Sequence, residues 1–384
     1  MRNRLVLTVL AAVCALSFAG CDPSAAVPGV SSTLKSSLTN FAGANAIPNQ
    51  RYFRNGVWTT TDVPGVWAKT NAGPPLAAAR LWAATGKQDR AAFDQAVSTY
   101  ETAMATQQGA NGRFGPDSIT NTWFGISMGQ AYLMLKDGLT PAQRTAWSSS
   151  IARAADYLTI NTDAAYYPNG NIAIAYTELF YLAYAATGDP KFKTAYDKSL
   201  ANAIRPRQDM YPGRGWVTTK APTQADGSDG AGYFTEEGNG GVGFDPEYAM
   251  AQLSVVSNLW LASKDPRVLS LTNQLLNKLL PLVKDRTVDQ RFPRHFMLDA
   301  TGGTRHQYPA GTYRLFDTPA VALLAWSGKR PDLLQMSVGQ VSDVNTYFRE
   351  ELNWPSNPVH YSDLGRDVGA MLIAAAPAAQ PAPR

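Results

Sequence analysis

Apolar helical stretches alternate with amphipathic ones along most of the chain, and a short polar corner separates the two members of each pair. The first member is apolar on most faces, as in IAIAYTELFYLAYAA, and the second on one side only, as in PKFKTAYDKSLANAI. Helices that are apolar all round are buried, whereas one-sided helices face water. The pattern therefore predicts a series of hairpins, each with one inner and one outer helix.

Five corners repeat this arrangement, at Gly86, Gly138, Gly188, Lys264 and Gly328. Each places a Gly or a Lys-Asp pair where the C-terminus of a helix needs a left-handed residue or a polar stop. Successive corners are 52, 50, 76 and 64 residues apart. Repeated helical hairpins indicate a repeat architecture. Buried helices that alternate with half-exposed ones favour an all-α fold, an α/α toroid, over an open solenoid.

The two longest spacings carry insertions, and each insertion precedes an inner helix. The first contains GYFTEEGNGGVGFDPEY at 232–248, in which we expect Asp245 to cap the next helix with a proline in its first turn. The second spans 286–316 and reads as a small β-hairpin with its turn at Thr301-Gly302. Insertions into a repeat usually lie on one face, often the binding face.

The expected hairpin would bring candidate catalytic groups together. A two-residue turn would place His295 opposite Tyr308. His306 would share their face, whereas Arg294 and Arg305 would lie on the other. A His and a Tyr that face one cleft suit removal of a proton from carbon and protonation of a leaving oxygen. Tyrosine has an ordinary pKa of about 10, so an arginine would have to lower that pKa. The alternative is a polar surface hairpin without a catalytic role.

Aromatic and amide residues precede every inner helix. Aromatic rings provide stacking surfaces for sugar rings, and Asn and Arg can bind hydroxyls and carboxylates. The candidate substrate-binding residues are Asn121, Trp123, Asn169, Asn171, Tyr233, Arg294, Arg305 and Arg314. For Asn121 and Asn171, helix capping is an equally good interpretation.

Neither end of the chain has the pattern of a folded structure. Residues 1–20 have the pattern of an export signal, and Cys21 resembles the lipobox cysteine that becomes lipidated, although plain secretion is an alternative. We expect a tether over 21–40, one catalytic domain over 41–372 and a disordered tail over 373–384. The sequence therefore predicts an exported bacterial protein, either a lipoprotein held at the cell membrane or a secreted protein.

Composition narrows the chemistry further. The two cysteines, Cys14 and Cys21, lie in or beside the signal, so the mature body has no disulfide. Two of the 34 basic residues fall within 1–20, which leaves 32 against 30 acidic ones and argues against a nucleic-acid partner. No zinc-ligand spacing, nucleophile elbow or phosphate-binding glycine motif occurs. We expect a monomer without a cofactor; a calcium ion among Asp226, Asp229 and the nearby glutamates stays open.

Three motifs resemble the hyaluronate, chondroitin, xanthan and heparinase-type polysaccharide lyases. They are NTWFGISMGQAYLML at 121–135, NGNIAI at 169–174 and DGSDGAGYF at 226–234, followed by Tyr248. The resemblance implies an incomplete α/α toroid and a β-elimination, in which an Asn neutralises a uronate carboxylate and a Tyr or His removes the C5 proton. By position, Asn121 and Asn171 match the amides of that family, and Tyr248 lies near its catalytic Tyr.

The chain departs from that family in two respects. Glu236 and Glu237 stand where those lyases have a His after the Asp-Gly-Ser motif. The large β-sandwich domains of the family have no counterpart in the sequence. Either His295 or Tyr308 supplies the base, or the reaction is a different one.

We therefore predict a polysaccharide lyase that cleaves a uronic-acid-containing glycan, and we keep two alternatives. The candidate catalytic residues are Tyr248, His295, His306, Tyr308, Glu236 and Glu237. The first alternative is a glycoside hydrolase on the same toroid, because hydrolysis needs an acid and a base that flank the bond. Its acid would be Glu236 or Glu237, and its base Asp229, Asp245 or Glu247. The second alternative is a surface lipoprotein that binds glycans without cleaving them.

Overall fold

The structure is a computed structural model, and it describes the greater part of the chain from residue 73 to residue 334. The described residues are 53–54, 57–58, 73–160, 169–206, 215–286, 295–316, 318–334, 336–337 and 339–340. The predicted signal, lipidation site, tether and tail lie outside them, as does Arg294. No helix in the described ranges is both long and apolar enough to cross a membrane.

Nine α-helices make up most of the described residues. They are α1 Gly73–Ala84, α2 Arg90–Thr106, α3 Ser118–Leu135, α4 Pro141–Ile160, α5 Gly170–Thr187, α6 Pro190–Ala203, α7 Pro246–Ser263, α8 Pro266–Leu279 and α9 Ala320–Trp326. Helices α1, α3, α5, α7 and α9 are the apolar members of the predicted pairs. Each of them contacts the next in this series, and α1, α3, α5 and α7 also pack against the helix that follows in sequence. The odd-numbered helices therefore form an inner layer and the even-numbered ones an outer layer, which is the predicted α/α toroid.

The burial of the helices follows their sequence patterns. Inner helix α5 is buried without interruption from Gly170 to Phe180. Outer helix α6 buries only Phe192, Tyr196, Leu200 and Ala203, which lie on one side of the helix. The hydrophobic core thus lies between the two layers and inside the ring.

Four of the five predicted corners have left-handed backbone. Gly86, Gly188, Lys264 and Gly328 have φ angles of 68°, 72°, 54° and 72°. Gly138 is the exception, because its φ is not positive; there a β-carbon would lie 2.6 Å from the ring of Phe93. The four left-handed corners need a special backbone conformation, whereas the corner at Gly138 needs the absence of a side chain.

Small antiparallel sheets complete the described structure. The strands are β1 Phe53–Arg54, β2 Val57–Trp58, β3 Trp216–Lys220, β4 Ala231–Phe234, β5 Glu236–Gly238, β6 Gly241–Gly243, β7 Val283–Arg286, β8 His295–Asp299 and β9 Tyr313–Leu315. They pair as β1-β2, β3-β4, β5-β6 and β7-β8-β9. Seven of them, β3 to β9, lie in the segments that precede α7 and α9, which carry the predicted insertions.

A polar network lies inside the ring, among the inner helices. Arg80 on α1 donates to Oδ1 of Asn258 on α7 at 2.7 Å. Gln130 on α3 donates to Glu178 on α5 at 2.8 Å and to the carbonyl of Asn258 at 3.3 Å. All four side chains are buried. The network therefore connects four inner helices across the interior of the toroid.

Candidate active site

The two insertions meet at the end of the ring where α5 and α7 begin. Glu236 on the first insertion joins them, because it accepts from the N–H of Asn171 in the first turn of α5 and from Gln252 on α7. Asp245 is the predicted N-cap of α7, and its Oδ1 accepts from the backbone N–H of Tyr248 at 3.1 Å. Its Oδ2 accepts from the N–H groups of Arg305 and His306 at 2.9 and 3.1 Å. One carboxylate thus caps the helix and holds the second insertion against the first.

The second insertion does not form the predicted tight hairpin. Strand β8 pairs with β9 so that Leu298 lies opposite Arg314, and residues 300–312 form a longer connection. Within it Gly302 pairs with Tyr308, so the predicted pairing of His295 with Tyr308 is wrong. Positive φ angles at Gly302, Gly303 and Gly311 let the chain take the longer path, which the bonds to Asp245 hold in place.

Three rings are stacked where this connection approaches α7. The rings of His306 and Tyr308 lie 4.8 Å apart at 22°. The ring of Tyr248, on the first turn of α7, lies 5.2 Å from that of His306 at 34°. The structure therefore brings together three of the residues that the sequence nominated for catalysis.

Glu247 orients the histidine of this stack. Its Oε2 lies 3.0 Å from Nδ1 of His306, and its Oε1 lies 3.2 Å from Nε of Arg314. The contact with Nδ1 is close, although its geometry is not that of a hydrogen bond. It places a carboxylate beside Nδ1 and leaves Nε2 to act on a ligand. The side chains of His306 and Glu247 are 34% and 27% exposed, so a substrate can reach them.

Two arginines flank the stack. The guanidinium of Arg305 lies 4.5 Å from the centre of the Tyr248 ring, and that of Arg314 lies 4.6 Å from the centre of the Tyr308 ring. The predicted division of Arg305 from His306 and Tyr308 between two hairpin faces does not apply, because that hairpin does not form and both Arg305 and His306 approach the ring of Tyr248. We call Glu236, Glu247, Tyr248, Arg305, His306, Tyr308 and Arg314 the mouth cluster.

Glu236 is the buried member of the mouth cluster. Its Oε1 accepts from the backbone N–H of Asn171 at 3.1 Å and from Nε2 of Gln252 at 2.7 Å. Its Oε2 has no hydrogen-bond partner and lies 3.9 Å from Nη1 of Arg305. Burial raises the pKa of Glu236 to about 7, although Asn171, Gln252 and Arg305 all favour the ionised form.

The tyrosines of the mouth cluster do not have the lowered pKa that a base would need. Burial raises the pKa of Tyr248, and the lowering effect of Arg305 does not compensate for it. Burial likewise raises the pKa of Tyr308 despite the nearby Arg314. The sequence-based expectation that an arginine lowers the pKa of a catalytic tyrosine is therefore wrong. Both tyrosines stay protonated at neutral pH and can act as proton donors.

Two predicted substrate-binding residues pack inside the helical layers. Asn121 is fully buried; its Oδ1 accepts from the N–H of Phe114, and its Nδ2 donates to the carbonyl of Ala154. Asn121 is not the cap of α3, because Asp117 occupies that position. Trp123 is partly buried against the hydrophobic core. These contacts give both residues a structural role.

The residues around the start of α5 lie closer to the mouth cluster. Asn169 is at the N-cap position, but its side chain accepts from the N–H of Glu237 rather than from its own helix. Asn171 follows in the first turn and contacts Glu236 through its backbone, so it is not a cap. Tyr233 packs edge-on against Phe244 at 5.0 Å and has no ring contact with the stack.

The other acidic candidates have structural roles or lie outside the mouth cluster. Asp229 accepts from Thr223 and Gln224 within a surface loop, which lowers its pKa to about 2. Asp245 is buried and uses both oxygens as described above. Glu237 is exposed. The described residues contain no group of three or more His, Cys, Asp or Glu side chains that could hold a metal ion.

The structure describes only the backbone of the candidate His295. It lies in β8, opposite Arg286, and its side chain lies outside the described part.

Two contributors to the site were not predicted in their present roles. Gln252 was not nominated, although a buried amide one and a half turns into an apolar helix indicates a polar partner. Glu247 was considered only as a hydrolytic base, although its position beside the N-cap already placed it at the mouth of the ring.

Comparison with known proteins supports the fold and leaves the family open. The sequence matches no protein-family model and none of the curated proteins. Among solved structures, an unsaturated glucuronyl hydrolase mutant from Streptococcus agalactiae, complexed with dGlcA-GalNAc6S, is 13% identical with a TM-score of 0.53. The alignment covers 90% of this chain and 92% of that one.

Two further structures are more distant. A family 76 glycoside hydrolase from a bovine Bacteroides thetaiotaomicron strain is 12% identical, with a TM-score of 0.43 and coverage of 91% and 77%. A D-mannose isomerase is also 12% identical, with a TM-score of 0.48 and coverage of 90% and 98%. At such identities the comparison establishes the α/α-toroid fold alone.

Proposed function

We propose that this protein is a carbohydrate-active enzyme that cleaves a uronic-acid-containing glycan by β-elimination. The observation that carries the proposal is the pairing of His306 with Glu247 between two arginines. A histidine oriented by a carboxylate is suited to remove a proton from carbon, and a guanidinium can neutralise the neighbouring uronate carboxylate. The resemblance of the solved glucuronyl hydrolase in fold is consistent with a glycan substrate.

Each step of the reaction has a residue in the mouth cluster. Arg305 binds the uronate carboxylate, which makes the C5 proton more acidic. Nε2 of His306 removes that proton, because Nδ1 is engaged with Glu247. The C5–H electron pair forms the C4=C5 double bond as the C4–O bond breaks. Tyr248 is protonated at neutral pH and donates its proton to the leaving oxygen, which as an alkoxide is the stronger base.

The experiment is incubation of the mature protein with a panel of uronic-acid polysaccharides. The C4=C5 double bond conjugated to the carboxylate absorbs in the far ultraviolet, so β-elimination gives an increase in absorbance. We expect His306→Ala to reduce kcat by about 10²-fold to 10⁴-fold, since this is the usual contribution of a general base. Glu247→Gln should reduce kcat less, because the imidazole keeps a polar neighbour of the same shape and loses only the negative charge beside it.

The matched control is Glu237→Gln, since Glu237 is an exposed carboxylate on the same segment as Glu236. Absorbing product whose rate of formation is unchanged in His306→Ala would refute the assigned base. Cleavage without the absorbing product would refute β-elimination itself.

Hydrolysis is the second candidate, and Glu236 is the observation that favours it. A carboxylic acid with a pKa of about 7 has the value that a general acid needs at neutral pH. Glu247 would then act as the base. In the described structure the side chain of Glu236 is fully buried, so hydrolysis would require the mouth cluster to open. Non-absorbing product that is lost in Glu236→Gln would establish this reaction.

A further inference from the structure

Glu236 and Arg305 form an incomplete ion pair at the boundary between the buried and exposed parts of the mouth cluster. The carboxyl is fully buried, whereas the guanidinium is 34% exposed. Their closest atoms, Oε2 and Nη1, are 3.9 Å apart, which is longer than a hydrogen bond. Two donors already hold Oε1, and Oε2 has no hydrogen-bond partner. Arg305 is therefore the cation available to stabilise a charge on Oε2.

The groups around Glu236 make its charge depend on Arg305. The N-terminus of α5 and Gln252 on α7 contact only Oε1. Asp245, at the start of α7, is a nearby negative charge that opposes ionisation of Glu236. Tyr248 is a neutral neighbour, and Glu247 pairs with His306 and Arg314 instead. Among the described residues, Arg305 is the one cation that affects the pKa of Glu236, and it lies on the second insertion.

We propose that Glu236 is a positioning residue that takes up a proton when an anionic sugar binds to Arg305. The inference rests on the proposed function, because it uses Arg305 as the binding group for a sugar carboxylate. A bound carboxylate engages the guanidinium from the solvent side and competes with Glu236 for its charge. A buried carboxylate that loses its counter-charge is costly to keep ionised, so Oε2 accepts a proton from solvent. The neutral Glu236 then leaves Arg305 fully available to the ligand.

The pKa of Glu236 in the free protein lies where such proton uptake can occur near neutral pH. Because the pKa of Glu236 is about 7, the free protein is a mixture of both protonation states at neutral pH. A ligand that raises this pKa further shifts the mixture towards the protonated state. Anion binding should therefore weaken as the pH rises above 7, even though the ligand and Arg305 keep their charges.

Isothermal titration calorimetry of the intact mature protein with D-glucuronate tests the inference. Titrations at pH 7.5 in phosphate and in Tris, whose ionisation enthalpies differ, give the number of protons taken up. We expect about half a proton per bound glucuronate, and a dissociation constant that rises about tenfold between pH 6.5 and 8.5. D-glucose, which has no carboxylate, should bind without proton uptake.

Two variants separate the role of Glu236 from a general effect on the fold. Glu236→Gln keeps the shape and an acceptor for Asn171 and Gln252, so we expect it to bind glucuronate without proton uptake and with a flat pH dependence. Glu237→Gln removes the exposed neighbouring carboxylate and should retain the proton uptake of the unmodified protein.

The outcomes distinguish this inference from the proposed reaction. Glucuronate binding without proton uptake, or equal uptake in Glu236→Gln, would overturn the inference while the β-elimination could still stand. Proton uptake that depends on Glu236, in a protein that yields no absorbing product, would support the inference and refute the elimination. Absence of glucuronate binding would overturn the inference, because Arg305 would then not be a carboxylate site.

Discussion

Burial of the carboxyl of Glu236 has an electrostatic cost that the rest of the fold must offset. Its ordinary pKa of 4.5 is raised to about 7 by burial. Between these two values the native state binds more protons than the unfolded chain, so stability falls as the pH rises through this window. The full shift corresponds to about 3 kcal/mol, at 1.36 kcal/mol for each pKa unit.

We therefore predict that Glu236→Gln makes the stability less dependent on pH. The loss of unfolding free energy between pH 5 and pH 8 should be smaller in the variant by about 3 kcal/mol. Urea denaturation at both pH values measures it, and Glu237→Gln should behave like the unmodified protein. An equal loss in Glu236→Gln and in the unmodified protein would show that Glu236 is not the responsible group.

Individual residues show how far the sequence could predict the site. His306, Tyr308 and Tyr248 were nominated from composition and resemblance, and the structure places them in one stack. Their partners were not predicted, because a contact such as that of Glu247 with His306 joins the first turn of a helix to an irregular connection 59 positions away. Asn121 was assigned to the ligand, yet its amide binds two backbone groups, which a local motif cannot reveal.

The connection over residues 300–312 is the element on which the geometry of the site depends. Gly302 and Gly303 both have positive φ, at 75° and 98°. A β-carbon at Gly302 would meet no atom within 4 Å, whereas one at Gly303 would lie 2.6 Å from Oδ2 of Asp245. The same Oδ2 holds the backbone of Arg305 and His306.

The two glycines therefore form a matched pair for substitution. Gly302→Ala should cost about 1–2 kcal/mol, the usual cost of left-handed backbone for a residue with a β-carbon. Gly303→Ala should cost more and also lower kcat, since the collision with Asp245 displaces the histidine. Chemical denaturation and the rate of product formation measure the two effects. Equal stability losses with equal activity would contradict the role given to this contact.

At the scale of the elements, the helices could be predicted from the sequence, but the register of the strands could not. Alternation of apolar and amphipathic helices depends on local sequence, and the corners at Gly188 and Lys264 have the expected left-handed residue. The β8-β9 register depends on how far the connecting segment extends. Glycine at three positions permits both the tight turn and the longer path, and contacts with the first insertion, at Asp245 and Glu236, favour the latter.

At the scale of the whole molecule, the buried polar network joins parts of the ring that are distant in sequence. Arg80 and Asn258 are 178 residues apart and form a bond of 2.7 Å. The sequence already indicated this network. Arg80 is the one charged residue in α1, and Glu178 is the one charged residue in α5. A charge inside such a helix indicates a polar partner, because an uncompensated buried charge is costly.

We predict that Asn258→Leu destabilises the protein by about 2–4 kcal/mol, because it removes an acceptor from a buried guanidinium. Arg80→Leu combined with Asn258→Leu should cost less than the two single changes added together. Urea denaturation of the three variants gives the coupling free energy. Strictly additive costs would show that the bond across the ring contributes nothing of its own.

The two roles of the Asp245 carboxylate determine which segments of this fold could be transferred into another α/α toroid. It serves α7 and the second insertion at once, and the hydroxyl of Thr304 returns a bond to the carbonyl of Glu236 at 2.8 Å. A graft of the first insertion alone into another toroid would leave acceptors without donors, and a graft of the second alone would leave donors without acceptors. The two insertions are separated along the chain by the α7-α8 hairpin, but they would have to be transferred together to keep these hydrogen bonds.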